Sequence, residues 1–265
     1  MPQFQLHVFR DGDGAPPLVF VHGLLCRYRD WRHQLDHFAP AHRVLACDLR
    51  GHGESPRGDA PMDIDTLGRD VADLLESENL SNAVLIGHSM GCRVVMEARH
   101  LAPARVAGLV LVDGSRLGAD RAKAMENLDA GIARRGFPAV VEALFEGMFF
   151  GDPPDWKEEK LAQVRAMPEA VGSALLYAMI DWEARRLNTI LSALDIPVLV
   201  IQSTAMGADR LRRPLAAGQT SPYQQLLLDR IAGVQSESLP GCGHFCMMEA
   251  PGAVNGRIER FIAAL

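Results

Sequence analysis

Gly87-His88-Ser89-Met90-Gly91 is the stretch from which the architecture of this 265-residue chain can be inferred. It follows the apolar, β-branched run Ala83-Val84-Leu85-Ile86 and precedes a run with helical spacing that reaches Leu101. This order predicts a buried strand, a sharp turn and a helix. Because glycines stand two residues on either side of Ser89, the strand and the helix can approach closely, and the serine hydroxyl projects from a strained turn.

The same pentapeptide predicts a nucleophile. A serine hydroxyl attacks poorly until a base takes its proton, so the motif calls for a histidine elsewhere and an acid that orients it. The first N–H groups of the following helix have no acceptor within the helix and point toward the same region. Ser89 is therefore the candidate nucleophile, and the N–H of Met90 is a candidate donor in an oxyanion hole.

Further apolar runs predict strands that are buried on both faces. They alternate with helical patterns and short connections, which indicates a mostly parallel central sheet with helices on both faces. The runs are Leu18-Val19-Phe20-Val21, Val44-Leu45-Ala46-Cys47, Val106–Val112 and Pro197-Val198-Leu199-Val200-Ile201.

Two polar turns follow the first two of these strands. His22-Gly23-Leu24-Leu25 comes after the first, and its glycine permits a tight turn that aims N–H groups above the sheet. The N–H of Leu24 is therefore the second candidate oxyanion donor. The loop of residues 48–55 comes after the second. It lies where α/β sheets bind ligands, but the pattern favours charges that pair to fix the loop.

The pattern changes between residue 116 and about residue 194, where helical segments follow one another without a convincing strand. This predicts an α/β core of residues 1–115 and 195–265, with a helical cap inserted at 116–194. The cap is rich in methionine and aromatic residues. Most of them must form its own core, and those that face the site would line an adaptable apolar pocket.

The predicted base follows the last strand. Ser236-Glu237-Ser238-Leu239 is a short strand pattern, and Pro240-Gly241-Cys242-Gly243-His244-Phe245 is the glycine-rich loop after it. A histidine in such a loop is where the partner of Ser89 is expected, so His244 is the candidate base.

Composition excludes several classes of function. A formal net charge of −6 gives no electrostatic reason to expect nucleic acid or an anionic membrane. No apolar stretch approaches the length of a membrane span, and the first residues lack the pattern of a signal peptide, so we expect a cytoplasmic protein. The five cysteines are scattered, and the spacing of Cys242, His244 and Cys246 differs from that of zinc sites. No metal, no cofactor and no oligomeric state is predicted.

Through these signals taken together, the sequence resembles the α/β-hydrolase superfamily. The resemblance covers nearly the whole chain and consists of four signals in the expected order, namely Val21-His22-Gly23, Asp48-Leu49-Arg50-Gly51-His52-Gly53-Glu54-Ser55, the elbow at Gly87 to Gly91, and Gly243-His244-Phe245. It implies Ser89 as nucleophile, with His244 acting first as general base and then as general acid. It also implies a capped serine hydrolase similar to esterases, carbon–carbon bond hydrolases and non-heme haloperoxidases, with a small apolar substrate.

The resemblance leaves two positions for the triad acid. In most relatives the acid follows the strand after the cap, where this chain offers Asp209 at some distance from the strand end. Some relatives use the end of the strand that follows the elbow helix, where this chain has Asp113. We favour Asp113, because a carboxylate at a strand end orients an imidazole with less loss of entropy. Asp181, in the cap, is a weaker candidate for contacting substrate.

Two other functions stay open. The chain also resembles cofactor-free dioxygenases of quinolone ring cleavage, which share the fold and use a His–Asp base. Against this, Gly87 stands where their elbow usually lacks glycine, and Leu49 stands where they tend to carry tryptophan. A ligand receptor on a hydrolase fold is the alternative that is not an enzyme, although an intact set of Ser89, His244 and an acid argues against it.

Overall fold

The structure is a computed structural model that describes residues 4–118, 120–207 and 211–265. Its strands are β1 (Val8–Asp11), β2 (Leu18–Val21), β3 (Val44–Cys47), β4 (Ala83–His88), β5 (Val106–Val112), β6 (Val198–Gln202), β7 (Thr204–Met206), β8 (Arg212–Pro214) and β9 (Gln235–Ser238). Its helices are α1 (Arg32–Phe38), α2 (Ile64–Ser77), α3 (Met90–Leu101), α4 (Arg121–Arg135), α5 (Phe137–Glu146), α6 (Lys157–Ala166), α7 (Glu169–Arg185), α8 (Leu187–Ser192), α9 (Pro222–Arg230), α10 (Cys246–Glu249) and α11 (Pro251–Ile262), with 3₁₀ turns at Tyr28–Trp31 and Pro103–Arg105.

Seven strands form the central sheet, in the order β1-β3-β2-β4-β5-β6-β9. Only β1, at one edge, runs antiparallel to its neighbour, so the predicted mostly parallel sheet is confirmed. In register, Val21 of β2 lies beside Gly87 of β4, and Gly87 lies beside Leu111 of β5. Whatever follows each of these strands therefore emerges at one edge of the sheet.

Burial explains why these runs form the centre of the fold. Every residue of β2, β3 and β4 is buried, as expected for strands covered on both faces. Burying one Val, Leu, Ile or Phe side chain contributes about 1.5–3 kcal/mol, so a continuous apolar strand is most stable between two layers of helices.

The helices beside the sheet begin where local chemistry favours it. Asp63 caps the N-terminus of α2, where its side chain accepts a hydrogen bond of 2.7 Å from the N–H of Thr66. Helix α2 packs tightly on α3. The two helices approach so closely at Gly68 that an added Cβ would lie 2.5 Å from Cγ of Glu97. Within the described ranges, no helix is both long and apolar enough to cross a membrane.

Helices α4 to α8 form one insertion between β5 and β6. This agrees with the run of helical segments expected in that part of the sequence. The proposed division into a core and a cap at residues 116 and 194 stays a prediction.

One element is not predicted by the sequence. The polar stretch from Gln202 to Gly218 contains the antiparallel hairpin of β7 and β8. Each strand has only three residues, and Arg212-Arg213-Pro214 carries no alternation of apolar and polar side chains. Such short strands leave no periodicity for the sequence to reveal.

Candidate active site

The elbow at Ser89 has the backbone that the motif predicts. Ser89 joins β4 to α3 with φ +55° and ψ −113°, a conformation that residues other than glycine rarely adopt. A Cβ at Gly91 would lie 2.4 Å from the carbonyl oxygen of Val21, and a Cβ at Gly87 would lie 2.4 Å from that of Gly91. Both glycines are therefore required for the turn to pack. Ser89 itself is only half-buried, so its side chain remains accessible.

The turn after β2 lies directly against the elbow. A Cβ at Gly23 would approach Cβ of Ser89 to 3.1 Å. Leu24 follows in this turn, and Met90 is the first residue of α3, so the Met90 N–H has no acceptor within its own helix. The assignment of these two N–H groups to an oxyanion hole stays a prediction.

Two buried histidines hold this turn in place. His22 donates from Nδ1 to the carbonyl oxygen of Gly23 (2.8 Å) and accepts from the N–H of Leu49 at Nε2 (2.9 Å). His52 accepts from the N–H of Leu25 at Nε2 (3.2 Å). Burial lowers the pKa of His22 to about 4 and that of His52 to about 3. Both rings are neutral at pH 7, and they act as hydrogen-bonded supports of the backbone.

The polar loop of residues 48–55 is structural, as its pattern favours, but its charges do not pair with one another. Asp48 accepts from the N–H groups of Tyr28 (2.8 Å) and Glu54 (3.0 Å). Arg50 forms a buried, bidentate pair with Asp70 of α2, at 2.6 and 2.8 Å. The loop is thereby fastened to its neighbours.

The structure brings the predicted base and the favoured acid together. Nδ1 of His244 lies 2.6 Å from Oδ2 of Asp113, and both side chains are almost fully buried. The N–H of His244 donates to the carbonyl oxygen of Met148 (3.0 Å). Nε2 of His88, the residue before Ser89, donates to the carbonyl oxygen of His244 (2.9 Å). The histidine loop is thus bound both to the elbow and to the insertion.

Asp113 accepts five hydrogen bonds from the residues that the structure describes. Besides the one from His244, its Oδ1 accepts from the N–H groups of Ser203 and Thr204, both at 2.8 Å. Its Oδ2 accepts from Oγ1 of Thr204 (2.5 Å) and from Arg212 (3.1 Å). The loop after β6 therefore supplies donors to Asp113. Asp209 lies outside the described residues.

These contacts define the charge state of the pair. Burial alone would raise the pKa of Asp113, but the hydrogen bond and charge of His244, together with Arg212, lower it to about 2. Burial, reinforced by the charge of Arg212, lowers the pKa of His244 to about 4, although Asp113 acts in the opposite direction. At pH 7 the carboxylate is therefore ionised and can only accept, so Nδ1 of the neutral imidazole donates and Nε2 carries a lone pair.

Sequence reasoning missed the role of Arg212. Its guanidinium is buried and donates to both Asp113 and Oγ1 of Thr204 (2.6 Å). The sequence shows several arginines in this stretch, but no spacing separates Arg212 from its neighbours. Asp181, the weaker candidate, pairs with Arg121 and Arg185. Its contact with substrate stays a prediction.

Comparison with known proteins identifies relatives across the whole fold. The sequence profile described as the alpha/beta hydrolase family matches residues 18–257. The chain is 30% identical over 260 residues to the dihydrolipoyllysine-residue acetyltransferase component of an acetoin cleaving system from Pseudomonas putida. That alignment covers 95% of this chain but 64% of the relative, so this chain spans less than two thirds of that protein.

One further relative and one solved structure match over more than nine tenths of their length. The esterase YbfF of Escherichia coli (strain K12) is 26% identical over 260 residues, which cover 93% of this chain and 92% of the esterase. The solved structure of an esterase from Exiguobacterium antarcticum superimposes with a TM-score of 0.81 at 17% identity, covering 97% of this chain and 95% of that one. At that identity the superposition shows the shared α/β-hydrolase fold.

Proposed function

The chain belongs to the α/β-hydrolase family, and we propose that it is a serine hydrolase that cleaves an apolar ester or a related carbonyl substrate. The observation that carries this proposal is the buried hydrogen bond of 2.6 Å between His244 and Asp113. The loop that contains His244 is itself hydrogen-bonded to His88 of the elbow that carries Ser89. The esterase relative from Escherichia coli supports the same reaction class.

In the proposed mechanism, Oγ of Ser89 attacks the substrate carbonyl while Nε2 of His244 takes its proton. Asp113 remains ionised and stabilises the imidazolium that forms. The N–H groups of Leu24 and Met90 bind the oxyanion of the tetrahedral intermediate. His244 then protonates the leaving alkoxide and afterwards activates a water that hydrolyses the acyl-enzyme.

The surroundings of His244 support an apolar substrate. Phe245, the next residue, is fully buried, and its ring centre lies 5.5 Å from that of Phe149 and 5.8 Å from that of Trp156. Phe149 and Trp156 belong to the connection between α5 and α6 of the insertion. We expect the half-buried rings of Phe149 and Trp156 to offer aromatic contact to an acyl group that approaches the histidine loop.

The test is turnover of p-nitrophenyl esters of increasing acyl length by the wild type and by Ser89→Ala. We expect turnover by the wild type and a loss of at least about 10⁴-fold in Ser89→Ala, because removal of a triad nucleophile costs about that much or more. Ser115→Ala is the matched control, since it removes another buried serine hydroxyl, and it should keep wild-type rates.

Three results would overturn the proposal. Ester turnover that survives in Ser89→Ala would exclude this serine as nucleophile. Oxygen uptake with a hydroxyquinolone that persists in Ser89→Ala but is lost in His244→Ala would indicate a cofactor-free dioxygenase. Tight binding of a ligand without any turnover would indicate a receptor.

A further inference from the structure

One helix of the insertion is attached to the segment that follows β2. Side chains of α6 reach three consecutive parts of this segment, which contains the turn beside Ser89. The contacts are Gln163 with the carbonyl oxygen of Leu25, Lys160 with Asp30, and Glu159 with Arg27. The contact of Gln163 is half-buried and that of Lys160 is buried, whereas the contact of Glu159 is exposed.

Gln163 holds a strained peptide next to the candidate oxyanion donor. Leu25 has φ +53°, which is unfavourable for a branched side chain. On the core side, the N–H of Leu25 donates to Nε2 of His52. On the other side, its carbonyl oxygen accepts from Nε2 of Gln163 at 2.7 Å. The strained residue is therefore fixed from two sides. Leu24 precedes it directly, so a rotation of this backbone would redirect the Leu24 N–H.

The ion pair of Lys160 and Asp30 fixes the helix over the same segment. Nζ of Lys160 lies 2.6 Å from Oδ1 of Asp30, and each side chain is at most 5% exposed. Nζ also lies 5.5 Å from the ring centre of Phe245, beside His244. A buried carboxylate without its cation is strongly unfavourable, so this pair stabilises α6 in its docked position over the segment.

We propose that Gln163 and Lys160 are positioning residues, through which docking of α6 sets the direction of the Leu24 N–H. This inference rests on the proposed acyl transfer, because it assigns these residues to oxyanion stabilisation in that reaction.

The first test compares Gln163→Met, which keeps the volume but removes the donor, with Arg165→Met on the same helix. Arg165 pairs only with exposed residues of the insertion among its described contacts, Glu142 and Glu158. We expect Gln163→Met to lower kcat for an ester by about 10- to 100-fold, since loss of an oriented oxyanion donor costs about 10² to 10³. KM should change less than about threefold, and Arg165→Met should behave as the wild type.

Inhibition by a trifluoromethyl ketone separates positioning from stability. The ketone forms an oxyanion adduct with an activated serine, so its affinity should weaken in Gln163→Met by the same factor as kcat/KM. Binding of the unreactive alcohol product should not change. A residue that only stabilises the fold would lower the melting temperature and leave both quantities unchanged in the folded protein.

The double variant Asp30→Asn/Lys160→Gln provides a second route if Gln163→Met does not fold. It leaves no uncompensated buried charge, and we expect it to lower kcat and ketone affinity together. The inference is overturned if both sets of variants keep wild-type kcat and ketone affinity. A wild type with no ester turnover and no reaction of Ser89 with a phosphonate would instead overturn the proposed function, and this inference with it.

Discussion

Ser89 and Asp113 are held by the backbone of the sheet, whereas the insertion over them is held mainly by side chains. The N–H of Ser89 donates to the carbonyl oxygen of Val112 (2.9 Å), and the carboxylate of Asp113 accepts from two backbone N–H groups. Apart from the backbone bond between His244 and Met148, the polar attachments described for the insertion are ion pairs and side-chain hydrogen bonds. Its position can therefore be changed one contact at a time, while that of the candidate catalytic groups cannot.

The anchors of α7 illustrate this second kind of attachment. Glu183 accepts from the buried Arg93 of α3 (2.7 Å) and from the N–H of Leu117, where the insertion begins. Glu97 of α3 accepts from Nε1 of Trp182 (2.7 Å) and from Arg186 (2.6 Å). Together with the contacts of α6, these bonds fasten the insertion at two places. The two regions should thus respond differently to mutation and to pH.

The largest effect is expected in the backbone-held region. Asp113→Asn should lower kcat by about 10⁴-fold, because an amide at this position favours the wrong tautomer of His244. Asp129→Asn, which changes an exposed carboxylate of the insertion, should keep wild-type kcat and serves as the matched control. Ester kinetics on both variants measure the difference. Wild-type kcat in Asp113→Asn, with activity lost in Asp209→Asn, would reassign the acid.

The next effect concerns the anchors of the insertion. Glu183→Gln leaves the buried Arg93 without its counter-ion, which should lower the free energy of unfolding by about 3 kcal/mol. Asp65→Asn removes the partner of Arg185 in an exposed pair and should cost about 1 kcal/mol or less. Urea unfolding followed by tryptophan fluorescence compares the two. Equal losses would show that burial does not distinguish these anchors.

As the pH falls, protonation of buried histidines should destabilise the region around the sheet before protonation of carboxylates breaks the ion pairs that attach the insertion. All nine histidines lie outside residues 116–194. Burial lowers the pKa of His22 to about 4 and those of His52 and His88 to about 3, from an unfolded value near 6.5. Because the unfolded chain binds these protons first, their contribution to stability is complete above pH 6.5 and declines as the pH falls toward 4.

Each such histidine should contribute a slope of about 1.4 kcal/mol per pH unit in that window. Urea titrations at pH 7.0, 6.0 and 5.0 measure the sum, and His52→Gln should show a smaller slope than the wild type. A free energy of unfolding that stays constant between pH 6.5 and 5 would contradict the assignment of these histidines as neutral.

The smallest expected effect is a change in the pH profile. In the proposed mechanism His244 acts as a neutral base, so kcat/KM should fall as the pH drops through its pKa of about 4. Arg212→Gln keeps a donor near Asp113 but removes a positive charge that lowers this pKa. The midpoint of the acid limb should therefore rise, by up to about one unit. Arg213→Gln, on the same short strand, should leave the midpoint unchanged.

The same contrast explains what the sequence could predict. Buried strands and the elbow were predictable because apolar runs and the glycines around Ser89 are local signals. His244 and Asp113 could be selected because each follows a predicted strand at a position that the resemblance to α/β-hydrolases implies for the base and for the acid. Their meeting is confirmed by the hydrogen bond between them.

The attachments of the insertion were not predictable. Lys160 and Asp30 are 130 residues apart, and composition does not distinguish a buried paired charge from a solvated one. Arg212 lies in a hairpin of two three-residue strands, which is too short for any periodicity. Contacts of this kind depend on the folded chain, because neither partner carries a local signal that identifies the other.

The central claim is that His244, oriented by Asp113, activates Ser89. The most direct measurement is the rate of labelling by a fluorophosphonate, followed by peptide mass spectrometry, in the wild type and in His244→Ala. The account predicts a single label on the peptide that contains Ser89, with a rate at least about 10³-fold lower in His244→Ala. Folded wild type that takes no label, or equal labelling rates in the two proteins, would contradict it.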